Sequence, residues 1–579
     1  MEAIEAKILL KNLLKRIRQV GEDEYELNGS LTDDEMAALR LALAAIDGGP
    51  VPVPTPSPAP PVVSPPTSLK PVPVFTPESA QVPEIEEPAE SAPVAPLLEL
   101  DTSVLTLPEP PEDRRLCLDF GTAMSKVALV RDATPERDYE DIEVLQLGVP
   151  GDQEEVSFTM LVSSVFIDGA GLLWFGQMAV ERSRLEEGRK RLDNIKHYLS
   201  VEGDGLSSVV TDIFNPTDIE ITYGDMVLAY LMFLTWAVNH RLEESEEPRN
   251  LSRRFAMPCF KGAKSNEMAQ RLGEMLGDAQ ILADTFFSTL QKGIPLNTFV
   301  EAVSQLRNTE RTYTFLKEAI TEPLGVAGSI MSWQKRVNSL IMVVDVGAGT
   351  SDFSLYRMHF DEKEGKSIAF EVNGSSQGIT EAGNYLDTLL RGLILKNAGV
   401  TSEHEHWVNI LGSLELDLRD YKERLFQDGE ISVRLFTGEL VSVSLDEFLS
   451  LEQVVNFGNS LKACRDEILN RVDPSWIEGA PNRALGLALT GGGASLPMVK
   501  ALAEGEIEVH GKKLKLVQTK EFPTWLEEEY PDLEADYPRI AVSLGGARKR
   551  IIDSGGVARI TAGGNSSSPT LGGYYTKGK

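Results

Sequence analysis

Two segments 226 residues apart each set an aspartate, a glycine and small hydroxylated residues at the end of an apolar run. The first reads Leu116-Cys117-Leu118-Asp119-Phe120-Gly121-Thr122-Ala123-Met124-Ser125-Lys126. The second reads Ile341-Met342-Val343-Val344-Asp345-Val346-Gly347-Ala348-Gly349-Thr350-Ser351-Asp352. Each predicts a strand ending in Asp-x-Gly, a turn of small residues, and a second strand. Glycine in such a turn lets backbone N–H groups approach phosphate oxygens, and the threonine hydroxyls add donors. A carboxylate beside phosphate is repelled unless a cation stands between them. Asp119, Asp345 and Asp352 are therefore candidate ligands of Mg2+, reached through its waters. Lys126 is a candidate point charge for a β- or γ-phosphate.

A third segment, Leu485-Gly486-Leu487-Ala488-Leu489-Thr490-Gly491-Gly492-Gly493-Ala494-Ser495-Leu496-Pro497, runs from an apolar strand into a triple-glycine turn. Pro497 suits the first turn of the helix that follows. Against such bare backbone a flat base or a ribose can lie.

These segments need a scaffold, and residues 114–552 supply alternating strand and helix signals, the mark of an α/β architecture. Ahead of it, residues 1–48 read as a small helical unit, with Ile4, Ile8, Leu9, Leu13 and Ile17 at helical spacing and Thr32 or Asp33 capping a second helix to Ile46. Residues 49–113 hold 19 of the 33 prolines and read as an extended linker. Residues 553–579, rich in Gly, Ser and Thr, read as a disordered tail. Asp and Glu number 88 against 56 Lys and Arg, a net charge of −32. That balance weighs against nucleic acid or an anionic membrane surface as partner. Three scattered cysteines exclude a disulfide framework or a cysteine zinc site. The longest apolar run, Met226 to Val238, is too short to cross a bilayer and predicts a buried helix. With no secretory leader pattern, a cytoplasmic location with no membrane insertion is expected.

In order and approximate spacing, the two Asp-x-Gly turns and the triple-glycine turn resemble the actin and DnaK-type heat-shock chaperone superfamily. Arg254-Phe255-Ala256-Met257-Pro258, Ile320-Thr321-Glu322-Pro323, Gly383-Asn384-Tyr385-Leu386-Asp387 and Ala541-Val542-Ser543-Leu544-Gly545-Gly546-Ala547 resemble further segments of its chaperone branch. The resemblance spans roughly residues 114–552. It implies a two-lobed actin-like ATPase fold of duplicated ribonuclease-H-like lobes, binding ATP or ADP with Mg2+ and hydrolysing ATP slowly as the lobes rotate. Gly121, Thr122 and Ala123 with Lys126, and Gly347, Ala348, Gly349 and Thr350, would then hold phosphates. Gly491, Gly492 and Gly493 would meet adenosine, with Lys422 on a helix from Leu418 to Phe426 as a further nucleotide contact. Glu322 or Asp352 would orient the attacking water or take its proton.

The sequence departs from that pattern at three places. Where chaperones carry a catalytic lysine after Gly-Asp-Ala-Ala, Gly176-Gln177-Met178-Ala179 is followed by Val180, so that either Lys126 does that work or hydrolysis is impaired. Ser495 replaces an adenine-stacking arginine, and residues 283–311 look inserted. Residues 553–579 show no pattern resembling the peptide-binding half of those chaperones, so the expectation is a nucleotide-driven switch without one, read by a protein partner recruited through residues 1–48. A filament-forming ATPase, a catalytically weak scaffold and a small-molecule kinase of the same superfamily are the alternatives. Gly365-Lys366-Ser367 and His404-x-His406 are set aside as a loop and a polar helix start. Cys117, Cys259 and the Trp174-Phe175 pair are expected in apolar, strand-borne core positions.

Overall fold

A computed structural model describes residues 98–551, apart from 138, 149–157, 187–189, 201–204, 260–262, 309, 333–336 and 362–365, together with strands Ile17–Gln19, Tyr25–Leu27 and Arg559–Ile560. Residues 1–96 are a unit of their own. Within it Ile17–Gln19 pairs antiparallel with Tyr25–Leu27, Ile17 opposite Leu27. This overturns the helix drawn through Ile17, because β-prone Ile17 and Tyr25 flank the turn-prone Gly21-Glu22-Asp23. The other expectations for residues 1–48, and the linker up to 97, fall outside the described residues.

The second unit is mixed α/β, as expected. Strands β1 (Arg114–Asp119), β2 (Met124–Arg131) and β3 (Asp141–Val144) form an antiparallel meander. Two further strands join parallel, β4 (Arg253–Met257), beside β1, after helix α1 (Tyr223–Glu244), and β5 (Leu316–Thr321), beside β4, after helix α2 (Ala263–Thr285). The order is β5-β4-β1-β2-β3. A second sheet repeats this plan. Its meander is β6 (Val337–Val346), β7 (Ser351–Asp361) and β8 (Lys366–Glu371), with β9 (Ala484–Thr490) parallel to β6. The edge hairpin β10 (Glu506–Val509) and β11 (Lys512–Gln518) completes the order β8-β7-β6-β9-β11-β10. Strands flanked on both faces need continuous apolar runs rather than alternation. Leu116 to Leu118 and Leu340 to Val344 are such runs, and all are buried.

Helix α1 starts at Thr222, whose hydroxyl accepts the Asp225 amide (3.2 Å) while the Asp225 carboxylate accepts the Thr222 amide (3.0 Å). Such reciprocal capping satisfies two otherwise orphaned donors. Every residue from Met226 to Val238 is buried, so the apolar run is a core helix. Two more helices, α4 (Gly383–Asn397) and α5 (Trp407–Asp428), follow β8. Both α3 (Glu322–Ile330) and α6 (Tyr537–Ala547) lie between the sheets. A shared core joins Cys117, Ala128 and Ala256 of the first sheet to Val343, Tyr356 and Ala488 of the second through Val326, Ala327, Ala541 and Leu544. The two helices cross so closely that a Cβ on Gly325 would lie 2.6 Å from the Val542 carbonyl oxygen. Gly325→Ala is expected to cost about 1–3 kcal/mol through overpacking, read as a lowered midpoint in urea unfolding.

Three expectations shift. The linker does not run to residue 113, since Leu98, Leu100 and Leu107 pack on the first core around buried Val104. Gln305 holds the Leu98 carbonyl (2.9 Å) and Asn250 that of Pro108 (2.8 Å). Residues 97–107 contain no proline and five leucines, which is why they can pack. The apparent insertion at 283–311 is structural. Its strand Ile294–Pro295 pairs with Leu172–Phe175, and its helix Leu296–Arg307 buries Phe299 and Leu306. In the tail, Arg559–Ile560 pairs with Arg550–Ile551, and the rest lies outside the described residues. Among the described residues, no helix is long and apolar enough to cross a membrane.

Candidate functional site

The pairing of β1 with β2 sets Asp119 opposite Lys126, and that of β6 with β7 sets Asp345 opposite Asp352. The two turns are one device used twice, differing in charge at the second position. In the first, Lys126 Nζ lies 3.4 Å from Asp119 Oδ2. The Gly121 carbonyl accepts the Ser163 hydroxyl (2.8 Å) and the Ala123 carbonyl accepts the Ser163 amide (2.9 Å). Buried Tyr230 backs that serine at 3.0 Å. In the second, the Gly347 amide donates to the Thr350 carbonyl (3.0 Å), and the start of α4 braces the turn. Gly383 donates to the Gly347 carbonyl (3.1 Å) and Asn384 to that of Ala348 (2.8 Å). Lys422, within α5, donates to the Gly383 carbonyl (3.0 Å) and pairs with Asp387 (2.8 Å), so it holds this brace.

The two turns meet. A Cβ on Gly349 would sit 2.6 Å from Thr122 Oγ1, so only glycine permits this approach. The third segment joins them, with Thr490 opposite Asp345 across β6 and β9. Gly491 turns at φ +81° and donates to the Pro538 carbonyl (2.7 Å), and the Gly493 amide donates to the Val346 carbonyl (2.9 Å). Nothing lies within 4 Å of a Cβ built on Gly492, leaving that backbone open. Pro497 opens the next helix as expected, and Ser495 is exposed.

Charge is the dominant feature. Asp119, Glu322, Asp345 and Asp352 are all buried. Burial pushes the Asp345 carboxyl well above the usual range, and the charges of Glu322, Asp119 and Asp352 push it further, against Lys126. Burial likewise raises Asp352, opposed by the Cys259 amide, which donates to its Oδ1 at 3.0 Å. Asp352 Oδ2 is buried without a hydrogen-bond partner. Glu322, at the start of α3, is raised to about 7, mainly by burial, with Lys196 drawing it back down. Lys196 forms a buried ion pair with Glu322, and the carboxylates of Glu322, Asp119 and Asp352 hold it charged against the cost of burial.

Beside Lys126, the structure brings to these carboxylates a second lysine, Lys196, that the sequence reading did not single out. Val180, after the Gly176-Gln177-Met178-Ala179 match, is a core residue of helix Gly176–Ser183, and the lysine arrives instead from just before helix His197–Ser200. The signal was present, because Leu192, Ile195 and Leu199 are buried at helical spacing and Lys196 stands on that same stripe. A lysine at a core position asks for a buried partner.

Four buried carboxylates against two lysines, with one oxygen unpartnered, fit a hydrated divalent cation held through its water. Among the described residues no group of three or more His, Cys, Asp or Glu is arranged to bind an ion directly. Of the residues set aside, Lys366 and Ser367 lie in β8 paired with β7 and form no phosphate loop. Both His404 and His406 precede α5. Cys117 and the Trp174-Phe175 pair are buried in strands. Cys259 follows β4 rather than lying in it, half-buried, with Ser376 donating to its sulfur (2.9 Å). No protein-family model matches this sequence, and no curated protein does.

Proposed function

We propose that residues 114–552 form a two-lobed, actin-like nucleotide-binding fold of the DnaK type, and that the protein is an ATP-driven conformational switch acting on a protein partner. The observation that carries this reading is the meeting of two like Asp-x-Gly turns, Thr122 against Gly349, beside an excess of buried carboxylate. The repeated strand order of the two sheets supports it. Gly121, Thr122 and Ala123, and Gly347 to Thr350, offer backbone and hydroxyl donors to phosphates. The triple-glycine turn Gly491 to Gly493 offers adenosine its open middle, the backbone at Gly492. Asp119, Asp345 and Asp352 would hold hydrated Mg2+, which when bound neutralises phosphate charge. Glu322 takes the proton of the attacking water, and Lys196 fixes the orientation of its carboxylate. The switch is expected to work in the cytoplasm, with residues 1–48 recruiting the partner.

The direct test is calorimetric titration of the full chain with ATP and ADP, with Mg2+ and with a chelator, alongside phosphate release. Mg2+-dependent binding with slow release is expected, and absence of binding would sink the reading. A base must be ionised to act, so single-turnover hydrolysis should rise with pH through about 7, where Glu322 titrates. Because Lys196 lowers that value, Lys196→Ala should move the midpoint to higher pH. A flat profile between pH 6 and 8 would remove Glu322 from the role of base.

A further inference from the structure

The residues from Lys190 to Lys196 touch three different helices in sequence. Lys190 Nζ pairs with Glu415 of α5 (2.8 Å), and the Arg191 guanidinium donates to the Leu416 carbonyl on the same helix (3.3 Å). Asn194 Oδ1 accepts from Asn384 of α4 (2.9 Å), and Lys196 ends in the ion pair with Glu322 of α3. Between these contacts the segment is fixed to the first sheet's half of the molecule. Leu192 bridges Val165 through paired amides and carbonyls (2.9 and 3.0 Å), and Ile195 is fully buried. Of the helices it grips, α4 and α5 belong to the second half, and α3 lies between the two sheets. Glu415 is also held by Arg391 of α4 (2.6 Å), and Asn384 is the residue whose amide braces Ala348 of the second turn (2.8 Å).

We infer that residues 190–196 are a clasp between the two halves, one that both retains the nucleotide and presents Lys196 to Glu322 only while α4 and α5 are in place. The inference rests on the nucleotide reading of the site and adds its regulation. Lys190, Arg191 and Asn194 are positioning residues, since they act on the reaction through Lys196 and through the second turn. The geometry explains a departure otherwise without purpose. A lysine carried on helix Gly176–Ser183 would answer only to the first half, whereas one carried five residues beyond Arg191 answers to both. The outer contacts are one part-exposed ion pair, Lys190 with Glu415, and two single hydrogen bonds, each weak alone and the ion pair sensitive to salt, as suits a closure that must reopen.

Lys190→Glu sets two carboxylates against each other at Glu415, and Glu415→Lys opposes two cations to it. In stopped-flow release of a fluorescent ATP analogue with Mg2+ from the full chain, each should speed dissociation about three- to tenfold. Single-turnover hydrolysis should fall several-fold in step, and Lys190→Arg should restore both. Release and hydrolysis within twofold of the parent in both charge reversals would overturn the clasp. Hydrogen exchange of residues 190–196 in nucleotide-free protein keeps the two ideas separable. If the parent binds no nucleotide, the site reading falls, yet faster exchange in Lys190→Glu still supports a clasp between the halves, and unchanged exchange rejects it.

Discussion

Asp345→Asn should make the protein more stable while depriving it of most of its affinity for ATP with Mg2+. Asp345 is fully enclosed, and three other carboxylates raise the cost of its charge. Replacing a buried, repelled charge by a neutral group of the same shape is commonly neutral or stabilising. A gain of about 1–3 kcal/mol is expected in nucleotide-free protein. The same change removes one of three proposed water-mediated holds on Mg2+, and a loss of about 100-fold, roughly 2.7 kcal/mol, is expected in calorimetric titration. Sites that bind charged ligands trade stability for function in this way. A variant both less stable and unaltered in affinity would show that Asp345 serves the fold.

Lys196→Ala should move stability in the opposite direction. It removes the partner of Glu322 and leaves the carboxylates facing one another, a type of loss that costs about 3–5 kcal/mol when no other response is open. Protonation of Glu322 softens this, so the lower part of that range is expected near pH 7. The sign in pH follows from the direction of the lysine's shift. Its folded value is raised, so its stabilisation is complete below the unfolded value near 10.5 and is lost only as pH climbs through the folded value. The lysine's own contribution is therefore lost in full throughout the neutral range, while protonation of Glu322 makes the net deficit smaller as pH falls through about 7. Hydrolysis in a single turnover should fall by about 100- to 1,000-fold, the scale for losing one preorganised charge. A variant as stable and as active as the parent would reduce Lys196 to a spectator.

Much of this site could be read in the residues, because its logic is local. An aspartate seven positions before its cross-strand partner, with glycine between, specifies a turn wherever it occurs, and both turns formed as expected. The triple-glycine turn leading to Pro497 was equally legible, carried by a few contiguous residues. What escaped depends on residues far apart. The apolar stripe marks Lys196 as buried, but its partner Glu322 lies 126 positions away and no local pattern names it. Lys422 was placed by resemblance beside a ligand, yet the geometry shows it holding Gly383 and Asp387. The linker boundary was drawn by proline content, which continues at 108, 110 and 111, past the point where leucines 98, 100 and 107 had already found a core.

On the proposed nucleotide reading, the exchange of Lys126 for Asp352 at matched positions would set the direction in which a guest lies. A cradle made of two identical turns would accept a polar, unsymmetrical guest equally well in either direction, and half of all encounters would be wasted on the reversed pose. One lysine in one copy, answered by one aspartate in the other, gives the cradle a cathode and an anode. The degeneracy inherited from repetition is thereby lifted by two side chains, and the molecule acquires a direction.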